Sequence, residues 1–304
     1  MPERVLAHAP AKLNLALSVG APDQSGMHPI ASWMVTVDLV DEMELLALPP
    51  GSLSRFATIW HDDAMHKPDI NWSFNADLPA RAHRLLEARV ERPLHIQSTL
   101  RKRIPLGGGV GGGSSDAAAM LLGLNELFDL GLSRDDLAEV GREVGSDVPF
   151  LVHGGSGIVE GLGESVESRE VPPALHAALL FPEQACPTAD VYRRFDDLEP
   201  AAGLDAERVR SVTDGLTPEN PFNDLARPAY DLFPALRDLS EAFARLAERP
   251  AHLSGSGSTL FVLCDDPLHA EHLAEAARER LELPSLAVST VTGVALERPN
   301  LENS

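Results

Sequence analysis

The chain has 304 residues, 44% hydrophobic and 23% charged, with 46 Asp and Glu against 25 Lys and Arg and a formal net charge of −21. That composition suits a globular chain able to bury a sizeable core in one large or two ordinary domains, and the acidic balance argues against general nucleic-acid binding while leaving room for a local anion site. Two cysteines, Cys186 and Cys264, make neither a disulfide framework nor a metal-ligand spacing; with no secretory pattern and no apolar run near the roughly 20 residues that span a bilayer, a cytoplasmic protein is expected.

In chain order, loose alternation over residues 5–17 and a Val- and Leu-rich run over 33–48 predict strands, separated by a turn-rich loop over 21–29. Residues 49–75 read as a variable loop with one strand, 80–90 as a helix and 94–103 as a strand. The run Arg101-Lys102-Arg103 reads as a solvated strand end. A glycine-rich loop follows, then a helix with the stripe Ala117, Leu121, Leu124 and Phe128, for which Ser114 or Ser115 is the expected N-cap. Ser133 is expected to cap a second helix burying Leu137, Val140 and Val144 and stopping at Gly145. An apolar strand pair is expected after Phe150, through Gly161.

Pro172-Pro173 marks a candidate boundary between domains at 1–170 and 171–304. Beyond it come a strand at 177–181, a loop-rich stretch with one short helix at 196–221, and a helix at 232–246. Two strand pieces flank Ser254-Gly255-Ser256-Gly257-Ser258, followed by a helix at 269–281 and a final strand at 285–296. This alternation suggests α+β layers.

The loop Pro105-Leu106-Gly107-Gly108-Gly109-Val110-Gly111-Gly112-Gly113-Ser114-Ser115 holds six glycines in seven positions. No stable helix or strand tolerates that density, whereas a backbone lying against a bulky ligand requires it. Running into a helix start, it offers unpaired N–H groups and a positive dipole end, which is an anion site. It lacks the Gly-Lys-Ser/Thr ending of a P-loop and lies outside the first βαβ unit of a dinucleotide fold. The reading is a phosphate cradle for a nucleotide, with the serine hydroxyls suited to a triphosphate and its magnesium ion.

Asp147 and Lys12 are candidates for chemistry at an alcohol. A carboxylate can accept the hydroxyl proton during phosphoryl transfer, and an ammonium can orient it and stabilise developing charge. Taken alone, Asp147 also reads as a helix cap, and Lys12 as a strand lysine. Pro149 is expected to bias Val148 to an extended conformation. Asn14, two residues beyond Lys12, shares its face of a strand.

The glycine loop resembles the nucleotide loop of the GHMP kinases, which act on galactose, homoserine, mevalonate and related alcohols. Pro10-Ala11-Lys12-Leu13-Asn14-Leu15 resembles that family's first motif, and His252-Leu253-Ser254-Gly255-Ser256-Gly257-Ser258 its third. The doubled triple-glycine loop, Gly145-Ser146-Asp147-Val148-Pro149-Phe150, Pro187-Thr188-Ala189-Asp190-Val191-Tyr192 and Asn223-Asp224-Leu225 are similar to one branch. That branch phosphorylates the 2-hydroxyl of a cytidine diphosphate-linked methylerythritol in non-mevalonate isoprenoid synthesis.

The resemblance implies a two-domain α+β fold, with an N-terminal domain like ribosomal protein S5 domain 2 and a ferredoxin-like C-terminal domain. It implies ATP with Mg2+, Lys12 and Asp147 as the catalytic pair, and residues 105–115 on the triphosphate. His28 and Tyr192 would hold the cytosine, Asn14 the accepting hydroxyl, and Ser254, Gly255, Ser256 and Gly257 would pack beside the phosphate loop. Met27 stands where the branch carries a tyrosine, and Asp77 where it carries an asparagine near the nucleotide. Another small alcohol as acceptor, or a non-catalytic nucleotide-binding protein, are the alternatives.

Overall fold

The computed structural model describes residues 3–171, 175–198, 203–213 and 220–298. Pro172-Pro173 lies outside them. Two long strands organise the first sheet: β1 (Arg4–Val19) and β2 (Ile30–Ala47), antiparallel over almost their whole length. After β3 (Arg55–Trp60), α1 (Leu78–Val90) leads to β4 (Ile96–Lys102). The glycine loop connects β4 to α2 (Gly112–Leu127), then come α3 (Arg134–Val144), α4 (Val148–His153), β5 (Ser156–Gly161) and β6 (Ser165–Arg169).

The first sheet runs β3-β4-β2-β1, with β5 on the opposite end of β2 and β6 beyond it. The length of β2 follows from serving two partners: Ile30–Val35 pairs with β5, and Glu42–Ala47 pairs with β4. The remaining elements are β7 (His176–Leu180), α5 (Thr188–Leu198), α6 (Ala206–Thr213), β8 (Phe222–Asn223), α7 (Ala226–Leu232), α8 (Pro234–Ala247), β9 (His252–Leu253), β10 (Leu260–Cys264), α9 (Pro267–Leu281), β11 (Ser285–Ser289) and β12 (Ala295–Glu297). A second sheet has the order β11-β7-β10-β9. β8 and β12 instead join β1 in the first sheet.

The first core lies between the sheet and α1 to α4, where Val5, Met43, Leu45, Leu86, Leu121 and Phe150 are buried. α2 is buried nearly all round rather than along one stripe, and Phe128 is its C-cap. Its Ala117-Ala118-Ala119 segment and Gly123 allow close approach to the sheet: a Cβ at Gly123 would stand 2.6 Å from Leu45 Cδ1. Ser133 caps α3 as expected, in a capping box with Asp136, the Ser133 hydroxyl accepting from the Asp136 amide at 3.1 Å.

Several expectations are corrected. α2 starts at Gly112 with Gly111 at φ +73 as its N-cap, so Ser114 and Ser115 fall inside the first turn. Val148 opens a helix instead of being extended, because Pro149 sits in the first turn, where its missing N–H costs nothing. The segment from Phe150 to Val152 is therefore helical, and the strand pair is β5–β6. The expected strand at 285–296 is two strands, one in each sheet.

Candidate active site

The site forms where β1, the glycine loop and the second glycine turn meet. The Lys12 side chain is buried in β1, and its Nζ donates to Asn14 Oδ1 at 2.6 Å and to the Gly109 carbonyl at 3.0 Å. Asp147 Oδ2 stands 3.6 Å from the same Nζ. One ammonium thus touches the first motif, the glycine loop and the loop before α4. Asn14 is held in turn, its Nδ2 donating to Ser32 Oγ at 2.9 Å, and Ser32 donates to the Ala16 carbonyl.

Asp147 occupies the N-cap position of α4, yet its side chain makes no cap hydrogen bond. The carboxylate is left facing Lys12 and is 25% exposed. An accessible carboxylate beside a fixed ammonium is a group able to take a proton from a bound hydroxyl.

The glycine loop is shaped by contacts that exclude side chains. A Cβ at Gly109 (φ +76) would lie 2.2 Å from the Ser254 carbonyl oxygen, and one at Gly111 would lie 2.9 Å from Lys12 Cγ. Thr259 N donates to the Gly108 carbonyl at 3.1 Å, and Ser254 Oγ to the Gly109 carbonyl at 3.1 Å. Lys12 N donates to the Val110 carbonyl at 2.9 Å. No side chain caps α2, so its first amides have no side-chain acceptor.

Beside this loop lies a cavity of about 480 Å³, walled by Trp72, Leu78, Pro105, Leu106, Gly107 and Gly113 and floored by Lys102 and Asp116. Its size and mixed lining match a small-molecule pocket. Ser115 does not face it: the buried hydroxyl donates to the Pro10 carbonyl at 2.7 Å, while Ser114, half-buried, lines the cavity. Of the third motif, Ser256 Oγ lies 3.0 Å from Thr188 Oγ1, which also lines the cavity, and the Gly255 carbonyl accepts from Asn223 Nδ2 at 2.7 Å. Gly257 N donates to the Ser254 carbonyl at 3.0 Å, closing the turn.

The reading of Arg101-Lys102-Arg103 as a solvated end is overturned at its centre. Lys102 is 2% exposed and pairs with Asp41 and Asp116, each at 2.5 Å. Burial opposes its charge, but the two carboxylates hold the ammonium well above its usual pKa. Burial pushes Asp116 well above the carboxylate range, Lys102 opposing and Asp41 adding to the rise. Asp41 Oδ1 also accepts from the amides of Arg103 and Ile104. The cluster therefore ties β2 to both stems of the glycine loop.

On the other side of Asp147, the His28 and Tyr192 rings lie 4.9 Å apart. Burial pushes the Tyr192 phenol up to about 12, with the Asp147 charge adding to the rise. The phenol is neutral at physiological pH, and His28, Tyr192 and Asp147 form one neighbourhood.

A family model for the GHMP kinases N terminal domain matches residues 77–155, and one for the GHMP kinases C terminal matches residues 209–283. A 4-diphosphocytidyl-2-C-methyl-D-erythritol kinase of Exiguobacterium sibiricum is 35% identical over 278 residues, 90% of this chain and 94% of that protein. The chain belongs to the GHMP kinases.

A Bacillus cereus protein of the same name is 34% identical over 265 residues, 86% of this chain and 88% of its own. A crystal structure of 4-(cytidine 5'-diphospho)-2C-methyl-D-erythritol kinase matches with a TM-score of 0.76 and 30% identity, covering 95% of this chain and 100% of that one. Homoserine kinase from Cytophaga hutchinsonii shares the fold, with a TM-score of 0.68 at 19% identity over 98% of each chain. The two-domain GHMP kinase fold agrees with the α+β expectation.

The two departures from the branch pattern have different surroundings in this GHMP kinase. Asp77 N-caps α1 by accepting from Ala80 N at 2.8 Å, and its other oxygen accepts from Trp72 Nε1 at 3.1 Å. A carboxylate suits that double acceptor role. Met27 is 53% exposed, and its amide donates to Asp23 Oδ1 at 3.1 Å. The residues that sequence reasoning missed are Asp41, Asp116 and Asp196, the last of which bonds His28 at 2.8 Å. For the buried cluster a signal existed: Lys102 follows Ile96, Ser98 and Leu100 at period two, on the inward face of β4.

Proposed function

We propose that this GHMP kinase transfers the γ-phosphoryl group of ATP to the 2-hydroxyl of 4-diphosphocytidyl-2-C-methyl-D-erythritol, a step of non-mevalonate isoprenoid precursor synthesis. The relatives at 34–35% identity support the acceptor. The observation that carries the chemistry is the convergence of Asn14, the Gly109 carbonyl and Asp147 on Lys12 Nζ.

In this reading residues 107–114 hold the triphosphate through backbone amides and the start of α2. ATP supplies the phosphoryl group. Magnesium would accompany ATP and would offset charge on its phosphate oxygens. Asp147 accepts the proton of the acceptor hydroxyl, Lys12 fixes that carboxylate and offsets charge developing on the transferring oxygens, and Asn14 helps place the hydroxyl. His28 and Tyr192 hold the cytosine.

The test is a panel of acceptors with γ-labelled ATP: the cytidine diphosphate-linked methylerythritol, homoserine, mevalonate and galactose. Label is expected on the first alone. Transfer to another alcohol instead overturns the acceptor, and ATP binding without transfer to any of them overturns the enzyme reading.

A further inference from the structure

A second cavity, of about 170 Å³, shares residues 105–108 of the glycine loop as a wall with the larger one and has no other lining residue in common with it. Its remaining walls come from three connections: Met65 and Pro68 between β3 and α1, Phe181 and Pro182 after β7, and Ser258 and Thr259 before β10. Hydrogen bonds within the protein fix these connections. Trp60 Nε1 donates to the Pro68 carbonyl at 2.7 Å, Phe181 N to the Pro284 carbonyl at 2.9 Å and Ser258 Oγ to the Pro182 carbonyl at 3.3 Å. A cavity held in this way is formed before anything enters it.

The two titratable members of the lining, His66 and Glu183, are exposed, and the buried ones are uncharged: Gly108, Phe181, Pro182, Ser258 and Thr259. A charged ligand would leave water for a wall without a counter-charge, which disfavours it. The volume is close to the roughly 150 Å³ of apolar cavity that takes a benzene ring. Prolines, a phenylalanine and the Met65 thioether suit the face and edge of such a ring. One group in the wall asks for more than an apolar ring. Thr259 is 0% exposed, and its Oγ1 has no hydrogen-bond partner among the described residues. That oxygen lies against Gly108, where a Cβ would stand 2.8 Å from it. A buried hydroxyl without a partner is unfavourable until something pairs with it, and it can both donate and accept.

We infer that this cavity is a binding site for a neutral, single-ring aromatic alcohol, of which phenol is the simplest, with Thr259 Oγ1 as its hydrogen-bond partner. The site goes beyond the phosphoryl-transfer reading and does not depend on it. Sequence reasoning could not supply it, because its walls come from segments as far apart as Met65 and Thr259.

The test uses the full chain with 13C-methyl-labelled methionine, the Met65 signal being assigned by its loss in Met65→Leu. Phenol is expected to shift that signal through its ring current, saturating with a midpoint of about 1 mM, the scale of so small a ligand. Benzene is expected to shift it too, with an affinity about tenfold weaker, the scale of one hydrogen bond. Thr259→Val removes the hydroxyl and keeps the shape. It is expected to weaken phenol to the level of benzene, to leave benzene unchanged and to leave the thermal midpoint no lower. A saturating non-hydrolysable ATP analogue is expected to leave the phenol midpoint within about threefold, since the two cavities meet only along residues 105–108. A Met65 signal that phenol does not move, phenol binding unaltered by Thr259→Val, or loss of the phenol shift on adding the analogue overturns the proposal. Should Thr259→Val fail to fold, equal affinities of phenol and benzene for the unaltered protein overturn it. Binding is read here without turnover, so failure of the kinase reading leaves these outcomes standing.

Discussion

Ser254 Oγ donates a 3.1 Å hydrogen bond to the carbonyl oxygen of Gly109, joining glycine turns 145 residues apart. The same carbonyl accepts from Lys12 Nζ, so the shape of the phosphate loop and the placement of the ammonium depend on one oxygen. In Ser254→Ala that oxygen loses one of two donors. The expected result is a KM for ATP raised about tenfold, with kcat less affected and stability reduced by about 1 kcal/mol. Steady-state kinetics with varied ATP, and urea unfolding, measure the two effects.

Asp147 faces Lys12 across 3.6 Å without serving as a helix cap. Asp147→Asn keeps the size of the side chain and removes the proton acceptor. ATP affinity measured by calorimetry is expected to stay within about twofold, and kcat to fall by about 10²- to 10⁴-fold. Near-normal turnover would remove Asp147 from the chemistry.

Lys102 is buried between Asp41 and Asp116. Lys102→Met leaves the buried Asp41 and Asp116 side chains without their cation, and unfolding free energy is expected to drop by about 3–5 kcal/mol. Lys102→Met combined with Asp116→Asn replaces one of the two buried acids by a neutral amide and is expected to recover part of the loss. Urea titration of the two variants makes the comparison; equal stabilities would show that the unpaired Asp116 is not the cause.

The His252 ring packs tilted against Phe261 at a centroid distance of 5.3 Å, and burial pushes its pKa down to about 4. In the unfolded chain a histidine takes up its proton near pH 6.5, which the folded protein resists. Stability from this residue is therefore full above pH 6.5 and falls as the pH drops toward 4, by up to about 3 kcal/mol. His252→Gln is expected to flatten that acid limb. Thermal midpoints at pH 7.5 and 4.5 for both proteins provide the check, and an unchanged difference would assign the acid loss elsewhere.

Much of the architecture was legible because local signals were strong. Ser133 as a cap marked the start of α3, and loose alternation and Val- and Leu-rich runs marked β1 and β2. The misreadings share a cause, which is local chemistry answered by distant packing. Lys102 sits between two arginines, as solvated residues do, and only the strand period betrays its burial. Val148 precedes a proline, yet the helix start accommodates Pro149. Residues 285–296 form one apolar run, but Gly293, at φ +115 with its Cα against Gly154, turns the chain from one sheet to the other. For the site, family resemblance supplied Lys12, Asp147, His28 and Tyr192. Which atoms touch was not readable, since the partners of Lys12 Nζ lie as far away as Gly109 and Asp147.

The strand β1 receives partners from late in the chain: β12 along Leu6–His8 and β8 at Ala16–Leu17. A fragment ending near residue 170 would keep Lys12, Asp147 and the glycine loop but expose both of those stretches as open sheet edges, which invite association with other chains. Truncation is therefore expected to yield aggregates rather than a minimal catalytic unit. Any attempt to transplant this site must carry the last strand along with the first.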